Sequence, residues 1–147
     1  MLFRSFGDLV EGKLTVGLVG QAPHVLDRAE IAELPHKSVK VRDAQGKAAV
    51  YAGVLVHDLL ARAGLRLGGE RSLGSYLMVE AVEEHHVLFA LAELDTTLTA
   101  KRVILADAKD GKPMTAPEGP FRIIVPDEKR STRWPRHVWA IYVVPDS

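Results

Sequence analysis

The sequence contains no cysteine among its 147 residues. This absence excludes disulfide bonds, metal sites built from thiolates, and cysteine nucleophiles. The chain also lacks an excess of charge of either sign, because 19 Lys and Arg residues balance 19 Asp and Glu residues. A neutral chain has no long-range attraction for nucleic acid or an anionic membrane, so we expect no nucleic-acid partner. Any cluster of cations must therefore serve a local purpose.

Long hydrophobic runs are missing as well. No apolar segment approaches the roughly 20 residues that a membrane-spanning helix needs, so we expect no direct insertion into a membrane. The N-terminal segment MLFRSFGDLVEGK contains no hydrophobic stretch of signal-peptide length. A chain whose signal peptide had been removed would have the same composition, so the sequence alone leaves the compartment open.

The motifs of common enzymes are also absent: the chain has no HExxH, no GxSxG, no phosphate-binding glycine loop and no dinucleotide fingerprint. His85 and His86 are adjacent, and on a strand adjacent side chains point to opposite faces, which suits a metal chelate poorly. Glu83 and Glu84 precede them in a predicted turn and form either an acid pair or an exposed acidic turn. We therefore predict no metal site and no catalytic residue.

The spacing of apolar residues predicts many short strands with two short helices among them. We predict one domain over residues 1–147, of the α+β class with mixed β-sheets and short inserted helices. The predicted helices are DRAEIAELP, which Asp27 caps and Pro35 ends, and LVHDLLARAGL, which Gly64 ends and in which His57 and Asp58 form a surface pair. The predicted strands are KLTVGLVG, HKSVKVRD, AAVYAGV, SYLMVEAV, HVLFAL, KRVILADAKDG, FRIIVP and HVWAIYVV, with a brief helical turn at AELD.

The segment EKRSTRWPRHV gathers Lys129, Arg130, Arg133 and Arg136 around Trp134. Arginine presents planar donors and stacks on rings, and tryptophan provides a flat surface, so the pair suits a flat ligand with oxygen acceptors. The segment follows a predicted strand end, where scaffolds commonly place binding residues. An alternative interpretation is a solvated basic loop whose Trp134 fills the core.

Arg122, in the segment GPFR, begins a strand that otherwise has the composition of a buried one. An unpaired buried charge costs several kcal/mol, so we expect Arg122 to have a partner.

Five segments occur in the order seen in one known family. They are VYAGVLVHDLLARAGL, VEAVEEHHVLFALAELD, VILADAKDGKPM, GPFRIIVPDEKRSTRW and VWAIYVV. Over residues 13–144 the chain resembles the oxidoreductase molybdopterin-binding domain, the fold of sulfite oxidase and of bacterial methionine sulfoxide reductase catalytic subunits. The resemblance implies a compact α+β domain whose pterin pocket is lined by the loop after FRIIVP and by the turn in AVEEHH.

The chain departs from this family at the metal. In the enzymes a cysteine after the strand matching VKVRD ligates molybdenum, whereas this chain has Asp43, Ala44 and Gln45 there. A carboxylate is a harder and weaker ligand for a metal held by sulfur, so we do not expect molybdenum or oxygen-atom transfer.

The resemblance, without the metal-ligating cysteine, implies a pterin pocket that holds no metal. It implies a non-catalytic protein that resembles the periplasmic pterin-binding proteins of bacteria, with a reduced pterin, such as a tetrahydro- or dihydropterin, as ligand. The turn departs from the family, which usually has a glycine and an aromatic residue where this chain has EHH. The candidate pterin-binding residues are Trp134 as stacking surface, Arg122, Arg130, Arg133 and Lys129 as donors, and Glu83 and His85 at the turn.

The same resemblance implies a partner, the periplasmic region of a transmembrane diguanylate cyclase or phosphodiesterase that controls cyclic-di-GMP. It favours the periplasm, and the cytoplasm is the alternative. Two other functions remain open. One is a molybdopterin-dependent oxidoreductase domain or subunit with an altered metal site, and the other is an interaction module that has lost the small ligand.

Overall fold

The computed structural model describes residues 12–42, 46–65, 75–82, 86–90, 102–115, 118–126 and 134–144. Within these ranges the chain forms two β-sheets and two short helices. The strands are β1 (Lys13–Leu18), β2 (His24–Asp27), β3 (Lys37–Arg42), β4 (Ala48–Leu55), β5 (Tyr76–Ala81), β6 (His86–Ala90), β7 (Ile104–Lys109), β8 (Lys112–Pro113), β9 (Arg122–Ile124) and β10 (Val138–Val144), and the helices are α1 (Arg28–Ala32) and α2 (Val56–Arg62).

The first sheet has the order β2-β1-β10-β5-β6. Strands β1 and β10 are parallel, with Thr15 opposite Ala140, and the other neighbours are antiparallel. Side chains alternate between the two faces of each strand, as β5 shows with Leu77 and Val79 buried and Tyr76 exposed. One face of this sheet therefore belongs to the core.

The second sheet has the order β3-β4-β7-β8, with β9 also pairing with β7, and all its pairs are antiparallel. Strand β4 approaches β7 closely at Gly53, where an added Cβ would lie 2.2 Å from the carbonyl oxygen of Leu105. The register of β4 on β7 shifts between Ala52 and Gly53. Glycine is required here because no side chain fits between the strands.

Helix α1 begins after Asp27, as the sequence indicates, but ends at Ala32, three residues before Pro35, whereas α2 ends before Gly64 as predicted. Asp27 caps α1 by accepting a hydrogen bond from the backbone N–H of Glu30 at 2.9 Å, and the Glu30 side chain completes a capping box. Helix α2 follows β4 directly and has no side-chain cap. Gly64, with φ +84°, follows its C-terminal end, a conformation that glycine adopts most readily.

The buried side chains of both sheets and both helices belong to one hydrophobic cluster. The longer strands and both helices contribute residues that their sequence patterns mark as apolar on one face, such as Leu14 on β1, Leu59 on α2 and Ile141 on β10. These contacts hold the two sheets together around a common core.

The predicted fold class is confirmed, since mixed sheets carry only a few short helices. All eight predicted strands and both predicted helices are present within the described residues, and Asp110–Gly111 forms the predicted turn after β7. Strands β2 and β8 were not predicted from the sequence. The helical turn predicted at AELD lies outside the described residues.

Candidate functional site

The segments that carry Arg122 and Trp134 lie side by side in the structure. The backbone N–H of Ile123 donates to the carbonyl oxygen of Pro135 at 3.2 Å, and that of Val138 donates to Phe121 at 2.9 Å. These bonds bring together two residues that the sequence analysis assigned to one site.

Arg122 is buried, with 6% of its surface exposed, and it has the charged partner that the sequence analysis expected. Its Nη1 donates to Oε2 of Glu118 at 2.5 Å and to the hydroxyl oxygen of Tyr51 at 3.1 Å. The Tyr51 hydroxyl in turn donates to Glu118. Lys109 lies 3.4 Å from the other carboxylate oxygen of Glu118. One carboxylate therefore balances two cations inside a polar cluster formed by Tyr51, Lys109, Glu118 and Arg122.

The protonation states of this cluster follow from its contacts. Burial alone would raise the pKa of Glu118, but hydrogen bonds from Tyr51 and Arg122 and the charges of Arg122 and Lys109 outweigh burial and lower it. Burial raises the pKa of Tyr51, and its bond to Glu118 raises it further. At neutral pH the carboxylate is therefore charged and the phenol is neutral.

Two aromatic rings lie close to the guanidinium group. Its central carbon lies 5.9 Å from the centroid of the Tyr51 ring and 5.8 Å from that of the Trp134 ring. Trp134 is itself buried, with 4% exposed. Cation–π contacts of this kind contribute about 0.5–2 kcal/mol each, so the rings help to fix the orientation of Arg122.

Two buried nitrogen atoms in this arrangement, Nε of Arg122 and Nε1 of Trp134, have no hydrogen-bond partner among the described residues. Buried polar groups in proteins are almost always paired, because an unpaired donor costs about 1–3 kcal/mol. Both atoms can only donate. Each atom therefore suits an acceptor supplied from outside the described residues.

The structure brings Arg122 and Trp134 together, as the sequence analysis proposed, and it also places Trp134 in the hydrophobic cluster. Whether they bind a ligand stays a prediction. The remaining candidates lie outside the described residues and also stay predictions: Lys129, Arg130, Arg133, Glu83 and His85.

Sequence reasoning missed Tyr51, Lys109 and Glu118. The sequence contained a signal for Glu118, because a buried arginine requires an acid nearby and Glu118 stands four residues before Arg122 in the segment EGPFR. Tyr51 and Lys109 are opposite each other on β4 and β7, and only the strand register shows this.

Other candidates are simple surface features. His57 Nδ1 lies 3.3 Å from Asp58, with both side chains about one-third exposed, so the predicted surface pair is confirmed. Within the described ranges, no three His, Asp or Glu side chains come together in a way that could hold a metal ion. None of the helices in the described part of the chain is long and apolar enough to cross a membrane.

Comparison with solved structures shows a similar fold in the crystal structure of the sulfane dehydrogenase SoxCD from Paracoccus pantotrophus. The TM-score is 0.70, the sequence identity is 16%, and the match covers 96% of this chain and 40% of that one. The chain thus spans less than half the length of that dehydrogenase chain, and the likeness concerns the fold. A comparison with curated proteins finds no significant match.

The family model described as the oxidoreductase molybdopterin binding domain matches residues 19–147. This stretch includes most of the chain and every residue of the polar cluster. The protein therefore belongs to the oxidoreductase molybdopterin binding domain family.

Proposed function

We propose that this protein is a non-catalytic pterin-binding protein that senses reduced pterins and relays their presence to a membrane-bound partner that makes or degrades cyclic-di-GMP. The observation that carries the proposal is a pair of buried N–H donors without an acceptor among the described residues, in a cysteine-free chain of a molybdopterin-binding family.

The residues of this chain do not fit the metal part of the family's cofactor. The enzymes that the chain resembles hold molybdenum through a cysteine thiolate, and this chain has none. Oxygen and nitrogen ligands are poorer partners for such a metal. We therefore derive no reaction step at molybdenum.

The same residues do fit the organic part of the cofactor. A pterin is a flat heterocycle with an oxo group and ring nitrogens that accept hydrogen bonds. Nε of Arg122 and Nε1 of Trp134 are donors in need of an acceptor, and the Arg122 guanidinium is held in place by Glu118. Ligand sites commonly combine an apolar lining with a few oriented polar groups, and this arrangement has both.

Titration of the purified protein with a tetrahydropterin and a dihydropterin tests the proposal. We expect saturable quenching of tryptophan fluorescence and a melting temperature that rises with ligand concentration, because a ligand that binds only the folded state stabilises it. Absence of both effects with every pterin would contradict the proposal.

A matched pair of arginine variants tests the predicted role of the basic segment. Arg133→Ala should weaken pterin binding about tenfold or more, as expected for loss of a hydrogen bond from a charged donor. Arg136→Ala is the control, because Arg136 is an exposed cation close by in sequence. Equal affinity in both variants would remove Arg133 from the site.

The signalling role requires a partner, and we propose the periplasmic region of a transmembrane diguanylate cyclase or phosphodiesterase. Cyclic-di-GMP turnover by membranes that contain the proposed cyclase or phosphodiesterase should change when protein loaded with pterin replaces pterin-free protein. If turnover does not change although pterin still binds, the proposed signalling role is contradicted and the proposed pterin binding stands. Fractionation of the native bacterium tests the proposed periplasmic location.

A second candidate is a domain or subunit of a molybdopterin-dependent oxidoreductase with an altered metal site. The chain's fold matches part of a chain described as a sulfane dehydrogenase, which favours this alternative. Elemental analysis separates the two. Near-stoichiometric molybdenum, after expression in a host that makes the cofactor, would support the oxidoreductase, and folded protein free of molybdenum would support the sensor.

A further inference from the structure

We propose that strand β3 is a docking edge, to which a partner protein adds an extended acidic segment as a further strand. Strand β3 lies at one end of the second sheet, and β4 is its neighbour among the described strands. An open sheet edge presents N–H and C=O groups that can pair with an extended peptide. This inference goes beyond the proposed function and does not depend on pterin binding.

The hydrogen bonds of Val50, on β4, show which groups of β3 face the open edge. Asp110 donates its backbone N–H to the carbonyl oxygen of Val50 at 2.7 Å, and its side chain accepts the N–H of Val50 at 2.9 Å. Val50 therefore directs both main-chain groups away from β3. Because this direction alternates along an antiparallel strand, Ala49 and Tyr51 bond to β3. Lys40, which is opposite Val50, then directs its own N–H and C=O to the open edge.

Ser38 and Arg42 lie two positions to either side of Lys40 and share its orientation, and all three residues are exposed. Arg42 donates to the carbonyl oxygen of Gly46 at 2.8 Å. Within the described ranges, neither Lys40 nor Arg42 forms an ion pair with an acid. Strand β4 has no charged residue. The open edge therefore combines main-chain groups with positive charge that its surroundings do not balance.

This charge determines which occupant suits the edge. A second copy of β3, paired along its whole length, would place Lys40 opposite a cation, and like charges directly opposite destabilise a sheet. A nucleic acid would use the charge but not the main-chain groups, and the chain as a whole is neutral. An acidic strand satisfies both the charge and the main-chain groups.

The geometry of the edge also specifies the sequence of the partner segment. Acids at two alternate positions would lie on the same face of the extended sheet as Lys40 and Arg42, directly opposite them. The residue between the two acids would lie on the other face, beside Val39 and Val41, which pack in or against the hydrophobic cluster. An apolar side chain suits that position. The partner segment therefore has the order acid, apolar residue, acid.

NMR titration of the isotope-labelled protein at low ionic strength tests the proposal. The probe is a peptide with blocked ends, as long as β3, in which glutamate alternates with valine. We expect saturable shifts of the backbone amides of Ser38, Lys40 and Arg42 and slower exchange of these amides with solvent, because they gain hydrogen bonds.

Two matched peptides separate the contributions of charge and main chain. One has lysine in place of glutamate, and the other has methyl groups on the glutamate backbone nitrogens, which removes their N–H donors. Each should bind at least about tenfold more weakly than the glutamate peptide.

Charge reversal on the protein tests the same pairs from the other side. Lys40→Glu combined with Arg42→Glu should weaken binding of the glutamate peptide about tenfold and strengthen binding of the lysine peptide. The control combines Lys13→Glu with Lys112→Glu, two exposed cations on β1 and β8, and should leave both affinities unchanged. If the first variant does not fold, the three peptides on the wild-type protein decide the question.

The cations may not be needed for docking if they only discourage self-association of an open edge, and in that case the glutamate peptide does not bind. That result would overturn the inference, as would equal binding of the methylated peptide or an equal loss in the control variant. Equally tight binding of oligothymidylate would also overturn it, because it would indicate a surface for anions in general. No pterin is used in these measurements, so every one of these results leaves the proposed function as it stands.

Discussion

At the scale of single residues, Glu118 holds the polar cluster together because its carboxylate contacts every other member. One oxygen accepts hydrogen bonds from Tyr51 and Arg122, and the other lies 3.4 Å from Lys109. Arg122 has 7% of its side chain exposed and Glu118 has 17%, so water can replace little of what the carboxylate provides. The charge of Arg122 in the core therefore depends on this one acid.

We predict that Glu118→Gln lowers the free energy of unfolding by about 1.5–3 kcal/mol, because neutral hydrogen bonds replace charge-assisted ones. Urea denaturation near neutral pH measures the change. The lowered pKa of Glu118 sets its pH dependence. The stabilisation is present above the ordinary carboxyl pKa and is lost as the pH falls through the pKa of the folded state.

The control for this prediction is Glu33→Gln, at the exposed C-cap of α1. It should change stability by less than about 0.5 kcal/mol. If the two variants lose equal stability, or if the loss in Glu118→Gln persists unchanged in acid, the assigned role of Glu118 is wrong.

At the scale of elements, His36 connects the segment that follows helix α1 to strand β7 through two polar contacts. Its Nδ1 lies 2.6 Å from the carbonyl oxygen of Leu34, and its Nε2 lies 2.9 Å from a carboxylate oxygen of Asp107. Both partners accept, so the doubly protonated ring satisfies both contacts. Burial lowers the pKa of His36, but the hydrogen bonds and the charge of Asp107 outweigh burial and raise it.

We predict that His36→Gln destabilises the protein in mildly acidic solution by about 0.5–1 kcal/mol and has less effect in alkaline solution. The pKa of His36 is raised on folding, so its contribution is complete below about pH 6.5, the unfolded value, and is lost as the pH rises through the folded value. Unfolding free energies of wild type and variant across this range measure the difference.

His24→Gln provides the comparison, because His24 is exposed on the neighbouring strand β2. This variant should change the free energy of unfolding by less than about 0.5 kcal/mol. A His36→Gln difference that grows with rising pH would have the wrong sign and would contradict the assignment.

The elements that the sequence could not predict are those without a pattern of their own. Strand β2 is only four residues long and has one buried residue, Leu26, before Asp27 caps the helix. Strand β8 has two residues and includes Pro113. They are strands because they pair with β1 and β7. Segments this short do not show the alternation of apolar and polar residues that predicts a strand from sequence. The longer strands and both helices carry their own pattern and were predictable.

At the scale of the whole molecule, the candidate site draws on three separate strands. Tyr51 comes from β4, Lys109 from β7 and Arg122 from β9. The sequence identified Arg122 and Trp134 by residue type, and the family resemblance placed them in a pterin pocket. The register of β4 on β7, with its shift beside Gly53, determines that Tyr51 faces Lys109. A register of this kind depends on packing between distant segments, so residue types alone do not reveal it.

The first sheet also joins distant parts of the chain. Strand β10 lies between β1 and β5, parallel to the first and antiparallel to the second. It contributes Ile141 and Val143 to the core, and Val138 bonds back to Phe121 beside Arg122. Without β10, the pair β2-β1 and the pair β5-β6 are not joined in one sheet.

We therefore predict that a truncated chain ending at His137 does not fold cooperatively. Loss of β10 exposes the edges of β1 and β5, removes core residues and breaks the bond from Val138 to Phe121 beside the candidate site, a cost well above the total stability of about 5–15 kcal/mol typical of a domain. Circular dichroism and urea denaturation should show no sigmoidal transition. The control is Ile141→Val in the full chain, which removes one methylene and should cost about 0.5–1.5 kcal/mol with cooperativity retained. A cooperative transition in the truncated chain would mean that the remaining strands form a core without β10.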